Sequence, residues 1–145
     1  MTEVRRRERR TYARKEYRRI YEVLQSLEED DAPSLAYEIE LGYDAVRGDG
    51  TLSVLHHCVT KNSYECLKYL LETCRVSPNL YDNNFRGTPL HLAINNNKPQ
   101  IAQLLIVNGA DLQCRDFNGV SPLELLSRLN FPEWEKLLLF VNSTN

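Results

Sequence analysis

Most of what would mark an enzyme, a membrane protein or a secreted scaffold is missing from this sequence. Its apolar runs fall well short of the ~20 residues that a membrane-spanning helix needs. Its start is basic but has no apolar segment behind it, so it does not read as a secretory signal. We therefore expect an intracellular protein, cytoplasmic or nuclear. The cysteines, Cys58, Cys66, Cys74 and Cys114, contain no CxxC pair and no zinc-ligand spacing. Three of them fall on or beside expected helices, so reduced thiols packed as small apolar side chains are expected, rather than a disulfide framework or a metal site. There is no Ser/His/Asp set in order, no GxSxG, no phosphate-binding loop and no dinucleotide-binding glycine pattern. Acidic residues are plentiful, but no recognisable motif pairs them. No catalytic residue, cofactor or metal is implied, and the expectation is that the protein is not an enzyme.

What is present fits one soluble domain: 145 residues, of which 42% are hydrophobic and 26% charged. The net charge is only −2, but it is unevenly spread. Residues 1–20 carry nine Lys and Arg against three Glu, a net +6, and the remainder carries −8. Residues 1–12 read as a basic, solvated arm that merges into a helix. Arg5, Arg6, Arg7, Arg9 and Arg10 are candidate contacts for an acidic partner or nucleic acid, or a nuclear-localisation signal. No aromatic or glycine interleaving within residues 1–12 supports a dedicated RNA-binding segment.

The chain is organised around Gly87-Thr88-Pro89-Leu90-His91-Leu92-Ala93. Thr88 is suited to cap a helix and Pro89 to occupy its first position. Thirty-three residues on stands Ser121-Pro122-Leu123-Glu124-Leu125-Leu126, and thirty-five back stands Ser53-Val54-Leu55-His56-His57-Cys58. Each is followed by a break and a second apolar helix: Cys66–Leu71, Ile101–Ile106 and Trp134–Leu139. The breaks carry Asn62, Asn97 and Asn130, the non-glycine residue type that best tolerates a left-handed turn. Gly109, in Asn108-Gly109-Ala110-Asp111, reads as the left-handed residue that ends a helix.

These motifs, in phase over about residues 45–140, resemble the ankyrin repeat. The resemblance implies an all-α solenoid of stacked helix pairs with short β-turn fingers. Its repeats would span 45–82, 83–115 and 116–143, within a domain over 13–143. Residues 13–44 read as a degenerate capping helix pair. Its first helix, about 13–28, has an apolar face of Tyr17, Ile20, Tyr21, Leu24 and Leu27. Glu28-Glu29-Asp30-Asp31 ends it, and Pro33 opens a second helix over Ser34–Leu41. Leu55, Tyr69, Leu70, Leu90, Leu104, Leu105, Leu123, Leu137 and Leu138 are the expected core. For the apolar last helix, Leu137–Val141, the preferred reading is that it packs both faces, rather than presenting one to a partner or a second copy.

The resemblance also makes His91 structural, bonding Thr88 and backbone across the repeat interface, with His56 in the same role and His57 facing the concave side. Asn79 loosely matches a position that asparaginyl hydroxylases modify in such repeats, although Pro78 departs from the pattern. The expected function is a non-enzymatic protein-binding module. It would be an adaptor or competitive inhibitor of a signalling or transcription partner, as small inhibitor-of-kappa-B-like ankyrin proteins are. The alternatives are a nuclear, nucleic-acid-associated factor working through the basic arm, and a self-associating scaffold. A protein partner is favoured over nucleic acid, a monomer over an oligomer, and no membrane is expected. The candidate binding residues are those of the fingers: Arg47, Asp49, Tyr81, Asn83, Phe85, Arg86, Arg115, Phe117 and Asn118. Aromatics and arginine at exposed turns suit interfaces. The competing reading of Phe85 and Phe117 is that they fold back to brace their own turns.

Overall fold

The computed structural model describes residues 2–46, 52–129 and 132–144. Arg47, Asp49 and Asn130 lie outside the described residues. Among these there are eight helices: α1 (Glu3–Glu28), α2 (Ala32–Glu40), α3 (Val54–Lys61), α4 (Tyr64–Glu72), α5 (Pro89–Asn95), α6 (Pro99–Val107), α7 (Pro122–Ser127) and α8 (Pro132–Thr144). They stack in two rows. The inner row runs α1, α3, α5, α7, and the outer row runs α2, α4, α6, α8. This is an α-solenoid of helix pairs, and its only β pairing among the described residues is an isolated antiparallel bridge between Asp82 and Gly87.

Local chemistry sets the ends of the inner helices. The Ser53 hydroxyl accepts the His56 amide at 3.2 Å, and the Ser121 hydroxyl accepts the Glu124 amide at 3.2 Å. Proline occupies the first turn of α5, α6 and α7, where its missing N–H costs nothing. Asn62 and Asn97 take the expected left-handed conformation at φ 58° and 55°. Asp30 takes it at φ 52° in the break after α1. Its carboxylate then accepts the Glu65 amide at 3.1 Å and the Cys66 amide at 2.9 Å, capping the first turn of α4 in the next unit. Asp31 caps α2, accepting the Ser34 amide at 3.2 Å and the Ser34 hydroxyl at 2.6 Å, and Pro33 stands in the first turn. Those two bonds hold its carboxyl below its ordinary pKa.

The first helix departs from expectation. Nine residues before Asn62 and Asn97 stand the caps Ser53 and Thr88, whereas nine before Asp30 stands Tyr21, which cannot cap. The helix therefore does not stop there. It continues as one element of 26 residues back to Thr2, whose hydroxyl accepts the Arg5 amide at 3.4 Å. Residues 3–12 are thus the opening turns of α1. Its apolar face is also corrected. Val23, Ser26 and Leu27 are buried, Ile20 and Leu24 are half-buried, and Tyr17 and Tyr21 are 75% and 64% exposed. The buried trio stands where Leu55, Cys58 and Val59 stand in α3, and Leu90, Ala93 and Ile94 in α5. Stacking buries whichever residues share that register, and the tyrosines do not.

Leu55, Leu70, Leu90, Leu104, Leu105 and Leu137 are buried. Tyr69, Leu123 and Leu138 are half-buried instead. Leu123 and Leu138 sit on helices with only one stacked neighbour in their row. Truncating one of the fully buried leucines should cost about 2–5 kcal/mol. Trp134 is fully buried, and its indole N–H donates to the Asn97 side-chain oxygen at 2.7 Å, tying α8 to the break between α5 and α6. All four cysteines are free thiols. Cys58 and Cys66 are buried, and burial pushes the Cys66 thiol up to about 12 and that of Cys58 well above its ordinary value.

Candidate protein-binding surface

The fingers are built from one aspartate each. The Asp82 amide donates to the Gly87 carbonyl at 2.9 Å. Its carboxylate accepts the amides of Asn84 and Phe85, both at 2.9 Å, and of Ser53 at 2.8 Å, which joins this turn to the cap of α3. Burial alone would raise the Asp82 pKa, but the three amides outweigh it and hold the carboxyl below its ordinary value. In the next finger the Asp116 amide donates to the Val120 carbonyl at 3.0 Å, and its carboxylate accepts the amides of Asn118 and Val120 at 2.9 and 3.0 Å.

Two histidines, one on α3 and one on α5, each join their inner helix to the following finger. The Thr88 amide donates into Nδ1 of His91 at 3.2 Å, so the ring proton is on Nε2, which donates to the Val120 carbonyl at 2.9 Å. The Thr88 hydroxyl lies 2.7 Å from the same Nδ1. His56 repeats this geometry, with the Ser53 hydroxyl on Nδ1 and the Gly87 carbonyl 3.0 Å from Nε2. Burial pushes the pKa of His56 below its ordinary value and favours the neutral ring. Both nitrogens of each buried ring are committed, which makes them structural rivets. In α7 Glu124 takes the histidine's place, and it turns outward to meet the Arg115 guanidinium at 3.3 Å.

The two finger phenylalanines diverge. Phe85 is half-buried, its ring tilted 53° against that of His56 with centroids 5.6 Å apart. A Cβ at residue 87 would lie 3.0 Å from that ring and push it by a few tenths of an ångström, so Gly87 suits the brace. Phe117 is 65% exposed, with the Arg86 guanidinium 4.3 Å above its ring. The Phe117 amide also donates to the Arg86 carbonyl at 3.1 Å, joining the two fingers at their tips. Arg86 is left-handed at φ 66° in a turn one residue longer than that of the next finger, Asp82 to Thr88 against Asp116 to Ser121. Arg115 is exposed but braced, donating to the Gly119 carbonyl at 2.6 Å. Tyr81, Asn83 and Asn118 are exposed on the same turns. The pairing of Arg86 with Phe117 escaped sequence reasoning. The available signal was their separation of about one repeat, which puts finger tips side by side.

Elsewhere, the Asn79 side chain is engaged with the next unit, donating to the Gly109 carbonyl at 3.2 Å and accepting the Asp111 amide at 2.7 Å. His57 is half-buried on α3. Arg5, Arg6, Arg7, Arg9 and Arg10 are all exposed on α1, far from the fingers in sequence, with Arg7 in an ion pair with Glu3 at 3.6 Å. The expectation that the last helix packs both faces is corrected. Trp134, Leu137 and Val141 are buried, whereas Leu139 is 70% exposed, because α8 has a stacked neighbour on one side only. Among the described residues no group of three His, Cys, Asp or Glu is placed to hold a metal ion, and no helix is long and apolar enough to cross a membrane.

Two stacked rows of helix pairs, with left-handed breaks 32 and 35 residues apart and histidine rivets 35 apart, agree with what comparison with known proteins finds. The sequence profile of the ankyrin repeats, in three copies, matches residues 35–145. The chain belongs to the ankyrin-repeat family. Over 45 residues it is 49% identical to NF-kappa-B inhibitor alpha of Sus scrofa, covering 31% of this chain and 14% of that one. Over 96 residues it is 32% identical to the nuclear factor NF-kappa-B p105 subunit of Gallus gallus, covering 66% and 10% respectively. Over 95 residues it is 32% identical to human protein phosphatase 1 regulatory subunit 27, covering 64% and 57%. The chain thus spans only a small part of the two NF-kappa-B relatives. Among solved structures, the ankyrin repeat domain of Bcl-3 matches with a TM-score of 0.69 at 22% identity, over 81% of this chain and 53% of that one. That likeness concerns the fold. Ankyrin membership itself supports a protein-binding role.

Proposed function

We propose that this ankyrin array is a non-enzymatic binding module that occupies an NF-kappa-B-type transcription partner through its fingers, acting inside the cell as an adaptor or competitive inhibitor. The observation that carries the surface is the Arg86–Phe117 stack. It is a solvent-facing aromatic and a guanidinium held together across two fingers, with Tyr81, Asn83 and Asn118 around it. A preordered aromatic–arginine pair loses little side-chain freedom on binding and desolvates a large area, which is what interface hot spots do. Phe85 and Arg115, committed to bracing, shape the surface from behind rather than forming it. The partner class is supported by the kinship with NF-kappa-B inhibitor alpha and with the p105 subunit.

The test is titration of the purified chain with an NF-kappa-B subunit, followed by calorimetry, alongside Arg86→Ala with Phe117→Ala. The expected result is binding by the parent and a loss of about 2 kcal/mol or more in the double variant, with melting unchanged. No heat from the parent at tens of micromolar would remove the NF-kappa-B assignment. Binding that ignores the double variant would remove the finger surface.

A further inference from the structure

The continuous course of α1 lines up side chains that the sequence had separated. At about 100° per residue, Arg7, Arg10, Arg14, Tyr17, Arg18 and Tyr21 fall within roughly 100° of the helix circumference, on the side away from the buried Val23 and Leu27. All six are exposed. Glu8 and Glu16 lie outside that arc. Glu3 pairs with Arg7 at 3.6 Å and Glu22 with Arg18 at 3.9 Å, at the two ends of the line. Between them Arg10 and Arg14 have no carboxylate partner among the described residues, and the pairs Arg10–Arg14 and Arg14–Arg18 set like charges at a spacing that destabilises an isolated helix. The free protein leaves this face electrostatically unsatisfied.

A line of guanidinium groups about 4.5–6 Å apart along the helix axis matches a ligand that is itself a line of closely spaced negative charge. A nucleic-acid strand carries one charge per ~3.4 Å of duplex axis. Tyr17 and Tyr21 add flat aromatic faces in the same line, which unpaired bases can stack on. The one amide side chain of α1, Gln25, lies a turn beyond Tyr21 and donates to Glu29 at 2.6 Å, so the arc from Arg7 to Tyr21 holds none for reading base edges in a duplex groove, and it holds no aliphatic side chain for entering a lipid surface. An acidic protein segment would use the arginines but leave both tyrosines without a role.

We propose that the Arg7–Tyr21 face of α1 is a binding site for single-stranded nucleic acid. Arg7, Arg10, Arg14 and Arg18 meet successive phosphates, and Tyr17 and Tyr21 stack on bases. The site is separate from the fingers and does not depend on the partner assigned to them.

The test uses the full chain and a fluorescent oligo(dT) of about twelve nucleotides, a length within single-strand site sizes, with anisotropy read across a salt series. Four phosphate contacts predict a slope of log K against log salt of about −3. Tyr17→Ala with Tyr21→Ala should weaken binding by about thirtyfold or more at an unchanged slope. Arg10→Gln with Arg14→Gln should make the slope shallower by about 1.4. All four positions are exposed on a helix, so the variants should fold, as circular dichroism will check. A duplex of equal length and poly-glutamate, used as competitors, should displace the oligonucleotide poorly. The proposal is overturned if poly-glutamate or the duplex competes as well as oligo(dT), if the tyrosine variant binds like the parent, or if the parent does not bind at low salt.

Discussion

Helices α1 and α5 occupy the same row of the same stack, yet little else about them is alike. The seven residues of α5 bury six consecutive side chains, Pro89 through Ile94, and carry no Asp, Glu, Lys or Arg. Of the 26 residues of α1 only Val23, Ser26 and Leu27 are buried, and most of the rest are charged or aromatic and in water. A helix as short as α5 is unstable alone. It exists because α3, α6 and α7 surround it and because caps and rivets satisfy its ends. The first turns of α1 are held by local terms: helix propensity, the Thr2 cap and the surface ion pair of Glu3 with Arg7. Global stability should therefore live in α5, and local, ligand-sensitive order in α1.

The largest contrast should come from truncating the core. Leu90→Ala should lower stability by about 2–5 kcal/mol, while Arg14→Ala should stay within ~0.5 kcal/mol. Urea unfolding followed by circular dichroism compares them, and equal effects would end the distinction.

The next effect concerns the rivets. His56→Ala removes the buried ring that ties the Ser53 hydroxyl to the Gly87 carbonyl, which keeps only the Asp82 amide, and should cost roughly 1–3 kcal/mol. It should also change the pH dependence. The folded-state pKa of His56 lies below its ordinary 6.5, so the unfolded chain takes up the proton first as pH falls. Stability from this group is complete above 6.5 and declines as pH drops from there toward the folded-state pKa. Melting at pH 7.5 and 5.5 should show a loss in the parent that is smaller in the variant.

Caps give a third comparison. Thr88→Ala removes a hydroxyl shared with His91 and should cost about 1 kcal/mol, whereas Thr2→Ala should fray the first turn of α1 without moving the global transition. Hydrogen exchange separates the two, since fraying shows only in the amides near Arg5.

The smallest stability effect is expected at the finger tips. Phe117→Ala should change stability by no more than ~0.5 kcal/mol, because its ring is largely in solvent. Phe85→Ala should destabilise more, because its ring packs on His56 and Gly87. If thermal melts reverse that order, the roles of the two phenylalanines are exchanged.

Much of this was written in short-range pattern. A Ser or Thr cap nine residues before a left-handed Asn needs only local chemistry, and so Asn62, Asn97, Gly109 and the helices between them were legible. So was the structural part played by His56 and His91, once the family resemblance placed them at a repeat interface. Tertiary structure decided the rest, wherever two local readings were equally good. The first helix carries two helically spaced apolar stripes, and only the register of α3 against α1 selects Val23 and Leu27 over Tyr17 and Tyr21. Phe85 and Phe117 occupy similar turns, but one has the His56 ring and a glycine beneath it and the other has only the Arg86 of its neighbour. Capping and turn preferences act over a few residues and can be read along the chain. Which face is buried depends on what lies across the gap, and no residue carries that information until the units are stacked.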